Sequence, residues 1–183
     1  MAATALNRPT SQGPMTVKLT LAAILVATSV AMVTVWNTPF RHIEAVLSAR
    51  FVGLFTATSV DQDAWFVHGH HLGGMWFVVT TACSSALIIT PLLLVGAWFI
   101  SRRSIPIVRA LVGLGAGVLT VIIINTLREA LIGLAWRAWG NGSIWLTHLV
   151  IGSFISLFAA IFAVGVFLVM IGFKRKSAQR EFS

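Results

Sequence analysis

Three side chains with reactive or ionisable groups stand at the ends of long apolar segments of this chain. Cys83 is the only cysteine among 183 residues, and it lies near the start of a long apolar run. Arg128 follows a second such run, and His148 lies near the start of a third. An ionisable side chain within or beside a membrane span is a functional hypothesis by default. A thiol, an imidazole and a guanidinium that met at one depth would suit acyl transfer.

Acyl transfer needs a nucleophile, a proton carrier and a group that stabilises an oxyanion. The thiolate is the reactive form of cysteine, and a neighbouring imidazolium or guanidinium favours it. His148 could protonate the leaving amine, and the permanently charged Arg128 suits an oxyanion or a substrate carboxylate. Asn125 lies three residues before Arg128 and shares its helix face. We therefore predict Asn125 and Ser84 as supporting polar groups of this site.

Each of these residues also has a purely structural interpretation. A free cysteine is usually buried and behaves as a small hydrophobic residue. An arginine near a span end commonly extends its charged head to the interface. His148 could be a helix histidine with its hydrogen bonds satisfied, and Glu129 could pair elsewhere. For each of these residues taken alone, the catalytic and the structural interpretations both stay open.

The composition indicates a membrane protein. The chain is 57% hydrophobic and only 10% charged, and apolar stretches of about 18 residues or more are typical of membrane spans. A single cysteine excludes an intrachain disulfide. The formal net charge of +8 is a topology signal in such a chain. We therefore expect a lipid bilayer as a partner and no nucleic acid.

The apolar segments predict an all-α fold, a polytopic membrane helical bundle of about four transmembrane helices plus an extracytoplasmic amphipathic helix. The predicted spans are about 18–36, 76–100, 105–124 and 144–173, within one membrane-embedded domain over residues 17–173. Residues 1–16 are predicted to be a disordered tail and residues 174–183 a basic tail. The small residues of GLGAG, from Gly113 to Gly117, predict close helix packing in the third span.

Between the first two spans, the sequence predicts an amphipathic helix followed by a loop. The helix begins near Phe40, and its apolar residues are expected on one face at the membrane interface. The members of that face are Phe40, Ile43, Val46, Leu47, Phe51 and Leu54. The following stretch up to about residue 76 is polar and rich in glycine, which is typical of a loop.

The positions of lysine and arginine favour an orientation with both termini in the cytoplasm. With that orientation, nine of the 13 Lys and Arg residues lie on the cytoplasmic side and the other four lie outside. The positive-inside rule favours this arrangement. Cys83, Arg128 and His148 then fall at the extracytoplasmic ends of three spans, where side chains of packed helices can meet.

Three short motifs resemble those of the exosortase/archaeosortase family: ACSSA at 82–86, NTLRE at 125–129 and THLVIG at 147–152. The resemblance covers roughly residues 60–170. It implies a membrane cysteine transpeptidase or protease with Cys83 as the nucleophile and Arg128 and His148 as its partners. Ser85 stands where the family commonly has glycine, and four spans are fewer than many members have.

The same resemblance implies a class of substrate. These enzymes are thought to cleave the C-terminal sorting signals of secreted proteins on the extracytoplasmic side, through a Cys thioester. Such a signal consists of a short motif, one transmembrane helix and a basic tail. The resemblance leaves open whether water or an amine is the acyl acceptor, and it calls for no cofactor.

A rival site is the run from His68 to His71, in which only Gly69 is not a histidine. Histidine-rich tracts can bind zinc or copper. On that hypothesis the chain is a non-enzymatic four-span protein that binds metal through His68, His70 and His71, or an assembly subunit in which Cys83 is a packing residue. A plain polar loop at the mouth of the site is a further alternative.

Overall fold

The computed structural model describes residues 15–69, 73–102 and 105–172. Within them, four helices are long and apolar enough to cross a membrane: α1 (Met15–Thr34), α3 (Ser85–Arg102), α4 (Ile107–Trp139) and a last helix over Gly142–Met170. This confirms the predicted multi-pass helical bundle. The two predicted tails fall largely or wholly outside the described residues.

The last of these helices changes its geometry along its length. A single turn, α5 (Gly142–Ile144), leads into seven residues of π-helix over Trp145–Ile151, called the π segment below. The helix then continues as regular α-helix in α6 (Gly152–Met170). Segments of π-helix are rare, and they occur frequently at functional sites.

The four long helices pack in neighbouring pairs, with α1 against α3 and α6 against α4. Small residues permit the close approach, as the GLGAG motif predicts. A Cβ atom on Gly117 would lie 2.9 Å from the Leu92 side chain and 3.1 Å from the Ala163 carbonyl oxygen. A Cβ on Gly113 would lie 3.2 Å from the Phe167 ring. Without side chains at these two positions, α4 lies directly against its neighbours.

Helix α4 is longer than a membrane requires. Its 33 residues correspond to about 50 Å, whereas the hydrocarbon core is about 30 Å thick. The predicted span ended at residue 124, but the helix continues to Trp139. The extra turns lie at the end of the bundle that carries α2 (Asn37–Val52) and a small β-sheet, which we call the sheet end. Arg128 lies where α4 enters the sheet end.

The sheet corrects the prediction of a loop. Three antiparallel strands, β1 (Thr58–Asp61), β2 (Ala64–His68) and β3 (Gly74–Val78), lie in the order β1-β2-β3. In β2 the side chains alternate: Trp65 and Val67 are buried and Phe66 lies on the other face. Strands β1 and β2 were missed because they are short and lie among polar residues and glycines. Strand β3 was missed because its apolar residues come shortly before those of α3, so the two elements looked like one span. The second span was also placed too early, since α3 begins at Ser85.

Helix α2 forms as predicted, and its apolar face is not buried in the bundle. Its buried residues include Glu44, Ala45, Ser48 and Ala49, whereas Ile43 is 52% exposed. Small residues let α2 approach α4 closely, and the two polar side chains find hydrogen-bond partners inside the bundle, described below. The apolar side that is left exposed suits a membrane interface.

Candidate active site

The structure brings Cys83, Arg128 and His148 together at the sheet end, from three different elements. Sγ of Cys83 lies 3.7 Å from Nε2 of His148 in the π segment. Nη2 of Arg128 lies 3.8 Å from the same sulfur, and its Nη1 donates to the Cys83 carbonyl oxygen at 3.3 Å. Cys83 and Arg128 are only 9% and 5% exposed. The catalytic roles of these residues stay predictions, but their side chains are within reach of one another.

A tight turn presents Cys83 at the start of α3. The backbone N–H groups of Cys83 and Ser84 both donate to the Thr80 carbonyl oxygen, at 3.0 and 3.1 Å. Oγ of Ser84 accepts a hydrogen bond from the Ala86 N–H at 3.2 Å, as helix-capping hydroxyls do. The thiol therefore lies beside the N-terminus of α3. Ser84 supports this arrangement through the helix start.

The π segment and the first residue of α6 place His148 and confine Arg128. A Cβ atom on Gly152 would lie 2.9 Å from Nε and 3.3 Å from Nη2 of Arg128. The glycine therefore lets the guanidinium lie directly against the beginning of α6. Gly152 belongs to the THLVIG motif, but no role for it could be read from the sequence.

Asn125 connects the site to the bundle beneath it. Its Nδ2 donates to the Cys83 carbonyl oxygen and to Oε1 of Glu44, both at 3.0 Å. Its Oδ1 accepts a hydrogen bond from Nη1 of Arg128 at 3.2 Å. Oε1 of Glu44 also accepts from the backbone N–H of Ser85 at 2.7 Å. Asn125 thus contacts Cys83, Arg128 and Glu44, as a supporting group of the site would.

A second buried carboxylate, Glu129, completes this network. Its Oε2 accepts a hydrogen bond from Oγ of Ser48 at 2.8 Å, and its Oε1 lies 3.5 Å from Nδ2 of Asn125. Sequence reasoning missed Glu44 and Ser48, because they lie off the apolar face of α2 and their partners are distant in the sequence. Their spacing of four residues is a usable signal, since it places both on one helix face.

Two cavities meet at the site. The smaller, of about 50 Å³, is lined by Cys83, His148 and aromatic residues of the sheet. The larger is an apolar groove of about 400 Å³ between α4 and the last helix. The two share Arg128 and Ile132. The groove is lined by Arg128, Leu131, Ile132, Leu134, Ala135, Ala138, Trp139, Thr147, Ile151 and Ile155. The groove therefore lies next to the cavity that contains the thiol.

The predicted metal site is only partly described. His68 ends β2 and its ring stands edge-on to Phe66, with 4.8 Å between ring centroids. His70 and His71 lie outside the described residues. Within the described part of the chain, no three His, Cys, Asp or Glu residues are grouped so that they could hold a metal ion. The metal-binding hypothesis therefore stays untested.

Comparisons of the chain with protein-family models, with curated proteins and with solved structures find no match. The functional argument therefore rests on the three motifs and on the geometry of the side chains that they contain.

Proposed function

We propose that this protein is a membrane-embedded, exosortase-like cysteine transpeptidase or protease. It would cleave C-terminal sorting signals of secreted proteins on the extracytoplasmic side, through a thioester on Cys83. The observation that carries the proposal is the position of one sulfur atom, 3.7 Å from Nε2 of His148 and 3.8 Å from Nη2 of Arg128. Both distances are short enough for a proton transfer or a charge-assisted contact after small adjustments on substrate binding.

The chemistry requires two acyl transfers. Nε2 of His148 accepts the thiol proton, and the Cys83 thiolate attacks the carbonyl carbon of the scissile peptide bond. The carbon–nitrogen bond breaks, and the imidazolium returns its proton to the leaving amine. The acyl group is then held as a thioester. Water or an amine attacks the thioester carbonyl, and its proton passes to His148. The carbon–sulfur bond then breaks, and the imidazolium returns the proton to the sulfur, which restores the thiol of Cys83.

Arg128 is suited to stabilise the charges that these steps create. Its Nη2 faces the sulfur, where the thiolate forms. Its Nε–H is buried and has no hydrogen-bond partner among the described residues, so a substrate oxygen would satisfy it. One preorganised donor to a developing oxyanion is worth about 3 kcal/mol of activation free energy.

The apolar groove supports a substrate that includes a transmembrane helix. Its volume of about 400 Å³ lies within the usual range of ligand pockets, and Arg128 lines both the groove and the thiol cavity. An apolar segment beside the scissile bond could therefore remain in the groove while the bond reaches Cys83. The positive-inside distribution of Lys and Arg supports a sheet end that faces away from the cytoplasm, with both termini cytoplasmic.

The test is co-expression with a protein that ends in a short motif, one span and a basic tail. We expect Cys83→Ala and Cys83→Ser to abolish its processing while both variants still insert into the membrane. Thr90→Ala, in α3 but away from the thiol, is the control and should process normally. Full processing by Cys83→Ala would show that the cysteine is a packing residue, as the non-enzymatic hypothesis requires.

A further inference from the structure

We propose that Glu44 is a positioning residue of this site, whose carboxylate orients the Asn125 amide so that Asn125 holds Arg128 against Cys83. The inference deepens the proposed function, because it takes Arg128 to act on the thiolate. Glu44 touches neither the sulfur nor a substrate in this arrangement. It acts through Asn125 and through the backbone that follows Cys83.

Glu44 is a buried carboxylate with specific partners. It is 1% exposed, and a buried charged group is costly unless hydrogen bonds compensate its lost hydration. Its Oε1 accepts from the backbone N–H of Ser85 at 2.7 Å and from Nδ2 of Asn125 at 3.0 Å. Residues of two other helices therefore meet at one carboxylate oxygen of α2.

The chemistry of an amide makes this contact directional. An asparagine side chain has one donor end, the NH₂ group, and one acceptor end, the carbonyl oxygen. Both Glu44 and the Cys83 carbonyl oxygen need a donor, so Nδ2 must face them. Oδ1 is then turned towards Nη1 of Arg128, which donates to it at 3.2 Å. A flipped amide would set its oxygen against the carboxylate and its NH₂ group against the guanidinium.

A second path leads from Glu44 to the nucleophile through the backbone. Ser85 is the first residue of α3 and follows Cys83 by two positions. A carboxylate that accepts a hydrogen bond from the first turn of a helix stabilises that turn, because it opposes the positive end of the helix dipole. Glu44 thus restrains both the turn that presents the thiol and the side chain that holds the guanidinium.

The structural alternative is that Glu44 only stabilises the start of α3. It would then contribute to the stability of the fold without affecting the reactivity of the thiol.

The two roles can be separated by alkylating Cys83, the only cysteine of the chain, with a small neutral haloacetamide. The rate is measured as a function of pH in the purified full-length protein, and thermal unfolding is measured in parallel. The charged and titratable side chains around the sulfur are Arg128, His148 and Glu129, which line the same cavity.

Glu44→Ala should alkylate about tenfold more slowly at neutral pH, the effect of losing one charge-assisted hydrogen bond to the thiolate. Its pH–rate profile should shift to higher pH. Glu44→Gln should react at nearly the wild-type rate, because a carboxamide oxygen can accept both hydrogen bonds. In the double variant Glu44→Ala/Asn125→Ala, the rate should fall by less than the product of the two single-variant factors, since both changes disturb the same contact of Asn125 with Arg128.

Three outcomes would overturn the proposal. A wild-type pH–rate profile in Glu44→Ala with lowered thermal stability would show a purely structural role. A slow Glu44→Gln variant, or faster alkylation in both variants, would show that the charge matters and not the orientation of Asn125. Fully additive losses in the double variant would show that Glu44 does not act through Asn125. Since alkylation uses no protein substrate, failure of this proposal is distinguishable from failure of the proposed function, which the Cys83→Ala processing assay decides.

Discussion

Replacing Gly152 with alanine tests whether the packing of Arg128 against α6 controls the site. The backbone can accept the change, because Gly152 has helical dihedral angles of φ −61° and ψ −39°. The new Cβ would lie 2.9 Å from Nε and 3.3 Å from Nη2 of Arg128, and 3.2 Å from the Thr147 carbonyl oxygen. Real Cβ contacts essentially never fall below 3.0 Å. The guanidinium must therefore move.

The size of the effect follows from the distances at the sulfur. Ordinary contact with the new Cβ begins at 3.4 Å, so Nε must retreat by about 0.5 Å. Nη2 is already 3.8 Å from Sγ of Cys83, which is long for a hydrogen bond to sulfur, so we expect a displacement of this size to disrupt that contact. A hydrogen bond with a charged group contributes about 1.5–3 kcal/mol, which corresponds to a rate about 10- to 150-fold lower. Stability should change little, because the displaced group is the end of a flexible side chain.

The assays are processing of the co-expressed substrate and alkylation of Cys83, with thermal unfolding as the measure of stability. Gly165→Ala is the matched control, since Gly165 lies on the same helix α6 and a Cβ there would meet nothing within 4 Å. Both variants gain helix propensity alike, so they differ in the contacts of the new Cβ with the Arg128 guanidinium and with the Thr147 carbonyl oxygen. A Gly152→Ala variant as active and as reactive as Gly165→Ala would refute the argument that the placement of Arg128 matters.

Three further changes test the parts of the site separately. Arg128→Lys should lower processing and alkylation of Cys83 at least about tenfold, because an ammonium cannot reproduce the planar guanidinium that reaches both the carbonyl oxygen and the sulfur. Unchanged rates would show that this double contact is not needed. His148→Gln should lower processing about 100-fold or more, the usual contribution of a general acid–base group, and substantial processing by this variant would exclude proton transfer through the imidazole. Ala138→Trp, which fills the apolar groove, should lower processing about tenfold, a loss typical of a misplaced or excluded substrate segment, without slowing alkylation. Ala160→Trp, in a separate cavity of about 300 Å³ between α3 and α6, is its control, and equal losses in both would show that the groove has no special role.

The elements that escaped sequence reasoning share a physical cause. Only a short turn over residues 79–84 separates strand β3 from helix α3, and a short apolar run does not distinguish a strand from the start of a span. In α2, the usual expectation that polar residues face outwards failed, because Glu44 and Ser48 have hydrogen-bond partners in α3 and α4 that are distant in the sequence. Whether a polar residue is buried depends on such partners, and the local pattern does not contain them.

Composition and apolar run length determined that this is a multi-pass helical membrane protein, since bilayer thickness sets how many apolar residues a span needs. The motifs around Cys83, Arg128 and His148 also identified which side chains could react. Only the tertiary structure decided that these three groups meet, that Asn125 joins them to Glu44, and that Gly152 confines the guanidinium. Those contacts depend on helix rotation and on close approach to within a few tenths of an ångström, and neither quantity is encoded in the period of an apolar pattern.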